Sequence, residues 1–315
     1  MTPETQETSG TRAAGAPTVS VIIPAYNAAG FVSRAIESAL AQTHPPLEIL
    51  VIDDGSKDAT SEVVARFAPP VRLLRQPNGG PAAARNHGAR EARGEWLAFL
   101  DADDRWLPGK LAGQLARATD PGVALVYSRL PVDPAPNHGG RVIPPVADFA
   151  TLWRRNYLIT SAVMVRLAVF ERHGGFDEDR ALIGVEDYNL WLRLAASGER
   201  MVLCPEEHVI YSPAPGSLTR QVERFLGAEL TNLARLAERL HIDARTVADK
   251  RQRLYLEYGR ELFWVRDLGA ARRCFARTLA ERPAAQPLAW WMATFLPGQV
   301  IDLRRRWRGR GGGTG

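Results

Sequence analysis

Short, mostly apolar runs alternate with helical patterns through the first hundred residues, and this alternation constrains the fold more than any other feature. The runs, which we predict to be strands, are Val19–Ile23, Glu48–Ile52, Val71–Leu74 and Trp96–Leu100. Helical patterns lie between them at about residues 28–41, 59–67 and 81–92. Apolar strands separated by short amphipathic helices are typical of a mainly parallel sheet with helices on both faces. The sequence therefore predicts an α/β fold.

The rest of the chain changes character toward its C-terminus. Further strands are predicted at 123–127 and 160–165, and a helix at about residues 186–196. From about Leu218 the pattern is helical, and Gly259–Pro283 resembles a single tetratricopeptide-like hairpin, which cannot bury its own apolar face. We therefore expect a disordered tail at 1–17, an α/β domain at 18–225, a helical region at 226–297 and a basic tail at 298–315.

The net charge of +5 is concentrated near the C-terminus. Five arginines and Asp302 give the segment 298–315 a charge of +4, so the first 297 residues carry only +1. A nearly neutral body lacks the basic face that nucleic-acid binding requires, and we expect no nucleic-acid partner. The arginines are Arg304, Arg305, Arg306, Arg308 and Arg310.

This basic tail follows an aromatic and apolar stretch, Leu288–Leu296. Apolar side chains beside arginines suit an anionic membrane surface, so one expectation is peripheral contact with the inner face of the cell membrane through the tail. The alternative is a last helix that packs on its own domain. The chain has only two cysteines, no apolar stretch near the ~20 residues of a membrane span and no signal-peptide pattern, so we expect a cytoplasmic protein.

Acidic residues directly follow the fourth predicted strand. Asp101 and Asp103 flank Ala102 at its C-terminal end, which is where open α/β sheets bind ligands. Neighbouring carboxylates repel one another, and a divalent cation that holds a diphosphate relieves this repulsion. The alternative is a strand-end turn that caps a helix beginning near Pro108. No Gly-x-Gly-x-x-Gly follows the first strand and no P-loop is present, which argues against a dinucleotide or P-loop site.

Six segments together resemble family 2 glycosyltransferases in their order and spacing, over roughly residues 18–220. The resemblance implies a GT-A fold, with a Rossmann-like, mixed and mainly parallel sheet and a C-terminal helical region. It also implies an inverting enzyme of the bacterial cell-envelope or polysaccharide type. The segments are Val19–Asn27, Val51–Ser56, Ala83–Gly88, Leu100–Asp104, Gly174–Asp177 and Gly184–Tyr188.

The resemblance also implies a nucleotide site. Asp53, at the end of the second strand, would accept hydrogen bonds from a base N–H or a ribose hydroxyl; a tight turn with a helix cap also explains its position. Arg85 would contact the base or the phosphates, with a surface ion pair as the alternative. The turn Asn78–Gly80 precedes a helix whose N-terminus favours anions. The expected nucleotide-binding residues are Pro24, Ala25, Tyr26, Asn27, Asp53, Arg85, Asp101 and Ala102.

The metal and the catalytic base follow from the same resemblance. Asp103 would be the main ligand of Mg²⁺ or Mn²⁺, which stabilises charge on the departing nucleotide diphosphate. Asp187 would be the general base and Glu186 would hold its loop, since adjacent helical residues diverge by ~100°. The alternative for both acids is a favourable interaction with the helix dipole.

The chain departs from the family at Tyr211–Thr219, where Ala214 stands at the position of an expected histidine. Either Asp103, phosphates and water hold the metal alone, or a nearby group such as His208 replaces that ligand. We expect transfer of a sugar from a nucleotide diphosphate sugar to a glycan or lipid-linked acceptor. The alternatives are a non-catalytic sugar-nucleotide-binding module and a glycosidase, which also uses paired carboxylates.

Overall fold

The computed structural model describes residues 15–129, 144–210 and 222–297. The chain divides into two compact units, Met1–Gly216 and Ser217–Gly315. We had expected the boundary after Phe225, which lies inside the continuous helix Val222–Arg239. Most of the expected N-terminal tail and all of the basic tail at 298–315 lie outside the described residues.

The first unit alternates strands and helices. Its strands are β1 (Val19–Ala25), β2 (Glu48–Asp53), β3 (Val71–Arg75), β4 (Trp96–Phe99), β5 (Arg105–Trp106), β6 (Val123–Arg129), β7 (Val146–Ala147), β8 (Val163–Arg166), β9 (Arg200–Glu207) and β10 (Val209–Ile210). Its helices are α1 (Val32–Leu40), α2 (Thr60–Val64), α3 (Pro81–Glu91), α4 (Lys110–Arg117), α5 (Phe149–Arg154), α6 (Leu167–Arg172) and α7 (Glu186–Ala196).

Eight strands form one sheet in the order β3-β2-β1-β4-β8-β6-β9-β7. The four strands β3, β2, β1 and β4 are parallel to one another. Strand β8 is antiparallel to both of its neighbours, β6 and β9 are parallel, and β7 is antiparallel to β9. Strands β5 and β10 form a separate antiparallel pair. The predicted α/β class with a mixed, mainly parallel sheet is confirmed.

Close packing fixes α3 on the sheet. A Cβ atom at Gly88 would lie 2.7 Å from both Ile22 Cγ2 and Ile52 Cδ1, so a larger residue would push the helix away from β1 and β2. Helix α3 begins beside the carboxyl ends of these strands, because it follows β3. The close contact therefore holds its first turns, including Arg85, at that edge of the sheet.

One predicted strand begins later than expected. The segment expected to be extended from Thr160 is a 3₁₀ turn at Thr160–Ala162, and β8 begins at Val163. The pattern of apolar and polar residues does not distinguish a short turn from the first residues of a strand. The turn matters because it supplies two hydroxyl groups to the site described below.

The second unit consists of helices α8 (Val222–Arg239), α9 (Ala244–Trp264), α10 (Leu268–Glu281) and α11 (Ala285–Ala293). The predicted hairpin Gly259–Pro283 corresponds to the end of α9 and all of α10. A Cβ atom at Gly259 would lie 2.7 Å from Phe275 Cε1, so the two helices approach closely there. None of the helices in the described ranges combines the length and apolar character that a membrane span requires.

Candidate active site

The carboxyl ends of β2, β1 and β4 lie side by side. Ala25 is in register with Asp53 across β1 and β2, and Ile22 is in register with Phe99 across β1 and β4. The residues that follow these strands therefore emerge at one edge of the sheet, where ligands bind in open α/β sheets.

Hydrogen bonds join the loop after β1 to the turn after β2. The Asn27 N–H donates to Ser56 Oγ (2.9 Å), and the Lys57 N–H donates to Asn27 Oδ1 (2.8 Å). Asn27 has a φ of 50°, a left-handed conformation that asparagine tolerates. Tyr26, beside it, is 48% exposed. The predicted segment Pro24–Asn27 thus borders the predicted Asp53 turn, with an aromatic ring at its rim.

Asp53 is a buried, ionised hydrogen-bond acceptor. The Ser56 N–H donates to Asp53 Oδ1 (2.8 Å), and the Ser61 hydroxyl donates to Oδ2. Burial alone raises the pKa of Asp53, but these hydrogen bonds and the charge of Arg75 hold it below its ordinary value. The carboxylate has about four acceptor positions, more than the donors of Ser56 and Ser61 fill.

The neighbouring carboxylate, that of Asp54, has a structural role that the sequence does not reveal. Its oxygens accept hydrogen bonds from the backbone N–H groups of Gly79 and Gly80, each at 2.8 Å, and from Gln76 Nε2 (2.8 Å). These amides belong to the turn before α3, which begins at Pro81, and not to the helix N-terminus that we expect to favour an anionic ligand. The anion that they bind is the protein's own Asp54.

Arg85 bridges two parts of the chain, the loop after β4 and the start of α7, and its partner in α7 is 101 residues away in sequence. The side chain is buried and donates to Asp101 Oδ1 (2.6 Å) and to Glu186 Oε1 (2.8 Å). Burial opposes its charge, but the two carboxylates outweigh burial and raise the pKa of Arg85 above its ordinary value. Arg85 therefore links the end of β4 to the start of α7 through one partly buried and one buried ion pair.

The three acids after β4 lie in different environments. The side chain of Asp101 is 35% exposed, and Asp103 is partly exposed. Asp104 is buried and accepts a hydrogen bond from the Ser161 hydroxyl (2.6 Å). Ser161 Oγ in turn accepts from the Asp101 N–H (3.1 Å). Asp104 and Ser161 thus fix the loop, while Asp101 and Asp103 reach the edge of the sheet.

Glu186 holds the loop before α7. Its Oε2 accepts a hydrogen bond from the Gly184 N–H (2.6 Å), and its Oε1 accepts from Arg85. Gly184 has a φ of 99°, which glycine adopts without strain. Because the Glu186 side chain is buried and both oxygens have partners, its position suits support of the loop rather than contact with an acceptor.

Asp187 faces a different group. The Thr160 hydroxyl donates to Asp187 Oδ2 (3.0 Å), and the Tyr188 N–H donates to Oδ1. Loss of solvation and the nearby charge of Glu186 raise the pKa of Asp187 to about 7, although Arg85 and these hydrogen bonds act in the opposite direction. Since Thr160 is adjacent to Ser161, Asp187 is linked through this turn to the Asp101 loop.

The side chains of Asn86 and Arg193 also support the site, although the sequence does not indicate a role for them. Asn86 Oδ1 accepts from the Phe176 N–H (2.9 Å), and Asn86 Nδ2 donates to the Phe176 carbonyl (2.8 Å). Arg193 donates to the carbonyl oxygens of His173 and Gly175. Asn86 lies inside a motif that we had recognised, whereas Thr160, Ser161 and Arg193 carried no sequence signal.

The donor set after β4 fits a hard divalent cation. Within the described ranges, no group of three or more His, Cys, Asp or Glu side chains is arranged to hold a metal ion. Mg²⁺ is commonly bound by one or two carboxylates together with substrate phosphates and water. Asp103, with Asp101 beside it, supplies carboxylates of this kind at the edge of the sheet.

His208, the suggested replacement ligand, lies in the protein interior. Its Nδ1 is 3.5 Å from Ser128 Oγ and 3.9 Å from Cys204 Sγ. A Cβ atom at Gly113 would lie 3.0 Å from His208 Cε1, so the imidazole fills space against α4. Burial and the charge of Lys110 lower the pKa of His208. Its position suits packing, and Ala214 lies outside the described residues.

Solved structures with the same fold include nucleotide-sugar complexes. The mannosyltransferase PcManGT from Pyrobaculum calidifontis, in complex with GDP-Man and Mn²⁺, matches with a TM-score of 0.65 and 23% identity, over 95% of this chain and 83% of that chain. S. aureus TarS 1-349 in complex with UDP-GlcNAc matches with a TM-score of 0.58 and 18% identity, over 88% of this chain and 79% of that chain. At this identity, the likeness shows the fold.

Sequence relatives give the family. The succinoglycan biosynthesis protein ExoO of Rhizobium meliloti (strain 1021) is 32% identical over 301 residues, which cover 87% of this chain and 85% of that protein. The putative teichuronic acid biosynthesis glycosyltransferase TuaG of Bacillus subtilis (strain 168) is 38% identical over 103 residues, 31% of this chain and 41% of that protein. The model of glycosyl transferase family 2 matches residues 20–174. The chain belongs to glycosyl transferase family 2.

Proposed function

We propose that this glycosyltransferase transfers a sugar from a nucleotide diphosphate sugar to an acceptor hydroxyl by single displacement, with inversion at the anomeric carbon. The proposal rests on one observation: Arg85 forms ion pairs with both Asp101 and Glu186. Asp101 lies at the edge of the sheet where the donor would bind, and Glu186 is next to Asp187. A donor-binding carboxylate and a general base thus belong to the same small region.

The donor nucleotide binds along the ends of β1, β2 and β4. Asp53 accepts hydrogen bonds from the base or ribose, since it is ionised and keeps lone pairs for a ligand. The exposed ring of Tyr26 offers an aromatic face to the base. Asp101, which Arg85 orients, faces the ribose, and the short side chain of Ala102 lets the nucleotide approach.

Asp103 would hold Mg²⁺ or Mn²⁺ together with the donor phosphates. When bound, such an ion stabilises the negative charge on the departing diphosphate. The Mn²⁺ in the complex of the mannosyltransferase PcManGT supports a divalent ion for this fold. The protein's own contribution is the fixed β4 loop, which Asp104 and Ser161 hold in place.

Asp187 removes the proton from the acceptor hydroxyl as its oxygen attacks the anomeric carbon. A bond forms between this oxygen and the anomeric carbon while the bond to the diphosphate oxygen breaks, and the nucleotide diphosphate leaves with the electron pair. The Thr160 hydroxyl fixes the carboxylate of Asp187. Its raised pKa makes Asp187 a stronger base than an ordinary aspartate near neutral pH.

The acceptor class is a glycan or a lipid-linked glycan. ExoO is named for succinoglycan biosynthesis and TuaG for teichuronic acid biosynthesis, which supports polysaccharide synthesis as the role of this chain. We also propose a cytoplasmic enzyme with peripheral contact at the inner face of the cell membrane through its basic tail. Family membership favours glycosyl transfer over a glycosidase and over a non-catalytic module.

The test compares wild type with Asp187→Asn across a panel of nucleotide sugars, with Mn²⁺ and with EDTA. Loss of the general base is expected to lower transfer about 10²–10⁴-fold, while calorimetry finds donor affinity nearly unchanged. Glu171→Gln, an exposed residue of α6, is the matched control and keeps full activity. The proposal is wrong if Asp187→Asn transfers sugar at the wild-type rate, or if no nucleotide sugar binds wild type.

A further inference from the structure

We propose that an apolar face at the end of the second unit docks on an anionic lipid bilayer. We call it the α11 outer face, and it consists of four side chains along one side of α11 and the turn that follows. These side chains are 43%, 54%, 56% and 46% exposed, in the order Leu288, Met292, Phe295 and Leu296. They account for four of the nine large apolar side chains that are exposed among the described residues.

The opposite side of α11 is already occupied. The Trp290 ring lies 5.2 Å from the Phe263 ring and 6.1 Å from the Phe275 ring, measured between centroids. Pro287 is buried as well. The helix therefore packs on its own unit, as the alternative from the sequence supposed, and it still leaves a second apolar side in solvent.

The α11 outer face is held in a fixed arrangement. Arg272 donates to the Thr294 carbonyl (3.1 Å), and the Thr294 hydroxyl donates to the Trp291 carbonyl (2.6 Å). These bonds fix the turn that carries Phe295 and Leu296. Exposed apolar residues that are clustered and held in place mark an interaction surface more strongly than scattered ones do.

The positive charge near the α11 outer face indicates an anionic partner. The Arg272 guanidinium lies 3.8 Å from the centroid of the Phe295 ring, so a cation borders the apolar side chains. No acidic residue occurs between Glu281 and Asp302, and five arginines follow within residues 304–310. Basic residues beside an apolar helix face match anionic headgroups above an acyl layer.

A second copy of the chain fits this surface less well. A symmetric contact would place the same patch of both copies together, because a two-fold interface is formed by identical surfaces. Arg272 and its counterpart would then approach each other, and the segment 288–296 that carries the α11 outer face has no acidic side chain to pair with them. Like charges at such a contact oppose association, whereas anionic lipid attracts both groups.

Vesicle flotation of the full chain tests the inference. Wild type is expected to float with phosphatidylcholine vesicles that contain phosphatidylglycerol, much less with phosphatidylcholine alone, and less as salt is raised. The double variant Met292→Asp and Phe295→Asp is expected to lose at least about tenfold in partitioning, since charge replaces apolar area at the lipid boundary. The control, Leu40→Asp and Val146→Asp, changes exposed apolar residues of the first unit by the same charge and keeps wild-type flotation.

The melting temperature and lipid-free donor hydrolysis verify that both variants fold. Wild type that fails to float with anionic vesicles, or a Met292/Phe295 variant that floats like wild type, would overturn the inference. One further outcome would overturn it: light scattering shows that wild type is a dimer and that this variant is a monomer, while neither protein binds vesicles. Flotation needs neither donor nor turnover, so its failure leaves the Asp187 test untouched. The inference rests on the proposed function in one respect only, which is that an acceptor at this membrane would be lipid-linked.

Discussion

Glu186 and Asp187 are neighbours in sequence, yet their carboxylates lie in different environments. Glu186 is buried against Arg85 and the Gly184 N–H, so its charge is compensated. Asp187 has the Thr160 hydroxyl and one backbone N–H, and it lies near the negative charge of Glu186. The protein therefore pairs Glu186 directly with a cation and leaves Asp187 as the carboxylate with a raised pKa.

The pH dependence of transfer should report this raised pKa. Asp187 accepts a proton only when ionised, so kcat/KM is expected to fall about tenfold per pH unit below the pKa of about 7. Stability changes in the opposite direction. The folded state binds more protons than the unfolded state between the ordinary aspartate pKa and about 7, so the Asp187 contribution to the free energy of unfolding decreases as pH rises through that window.

The measurements are kcat/KM from pH 5 to pH 9, and the melting temperatures of wild type and Asp187→Asn at both ends of this range. Asp187→Asn should gain stability relative to wild type at the alkaline end, because it lacks the ionised carboxylate. A kcat/KM profile that is flat through pH 7, or an Asp187→Asn variant that loses relative stability on going from pH 5 to pH 9, contradicts the assignment.

Arg85 is the second residue with a strong expected effect. Arg85→Met leaves the buried Glu186 without its cation; because Asp101 is only partly buried, we expect the free energy of unfolding to fall by about 2–4 kcal/mol. Arg85→Lys keeps the charge but lacks the planar fork that reaches both carboxylates, so its loss should be smaller. Urea unfolding measures both.

A purely structural role for Arg85 predicts only this loss of stability. Because Arg85 also lowers the pKa of Asp187, the acid limb of the kcat/KM profile should move to higher pH in Arg85→Met. The matched control is Arg90→Met, on the same helix, whose exposed pair with Glu178 at 3.8 Å should be worth less than about 1 kcal/mol. An unchanged acid limb in Arg85→Met would show that Arg85 does not act on the base.

Among the elements, α3 has the strictest packing requirement. Its Gly88 has no room for a Cβ atom between Ile22 and Ile52, so Gly88→Ala must shift the helix or the strands. Overpacking of this kind typically costs about 1–3 kcal/mol. The shift should also move Arg85 and lower the transfer rate.

Urea unfolding and initial rates check this prediction for Gly88→Ala. Gly30→Ala is the control, because nothing lies within 4 Å of a Cβ atom at that position. Its effect on the free energy of unfolding is expected to stay within about 0.5 kcal/mol. If the two variants are equally stable, the packing account of α3 fails.

The elements also show what sequence could predict and why. Strands such as β1 and β2 are buried on both faces, so they appear as continuous apolar runs, and their C-terminal acids could be placed at one edge of a parallel sheet. Local patterns do not reveal long-range pairing. The antiparallel insertion of β8 between β4 and β6, and the bonds from Asn86 to Phe176, join segments that carry no local sign of each other.

Arg85 illustrates the same limit within the site. It is surrounded in sequence by small residues on a short helix, so a contact with the nucleotide is the expectation and a surface ion pair the alternative. The structure gives it two carboxylate partners, the partly buried Asp101 and the buried Glu186 at the start of the distant helix α7. A side chain's partners follow from the fold, and periodicity alone does not specify them.

At the scale of the whole molecule, the proposed catalytic residues and the strongest positive charge lie in different parts of the chain. The first unit contains the sheet edge with every acidic residue that we assign to donor binding and catalysis, whereas the strongest positive charge lies in sequence after the helices of the second unit. This division suits a transferase that works on a surface. The likeness in fold to PcManGT extends over 95% of the chain.

The anomeric configuration of the first-formed product tests the central claim most directly. With the donor that wild type uses, proton NMR at early reaction times should show the configuration opposite to that of the donor sugar, and Asp187→Asn should form almost none of this product. Direct attack by a hydroxyl that Asp187 deprotonates requires this outcome. A product that retains the donor's configuration would contradict single displacement and the part assigned to Asp187.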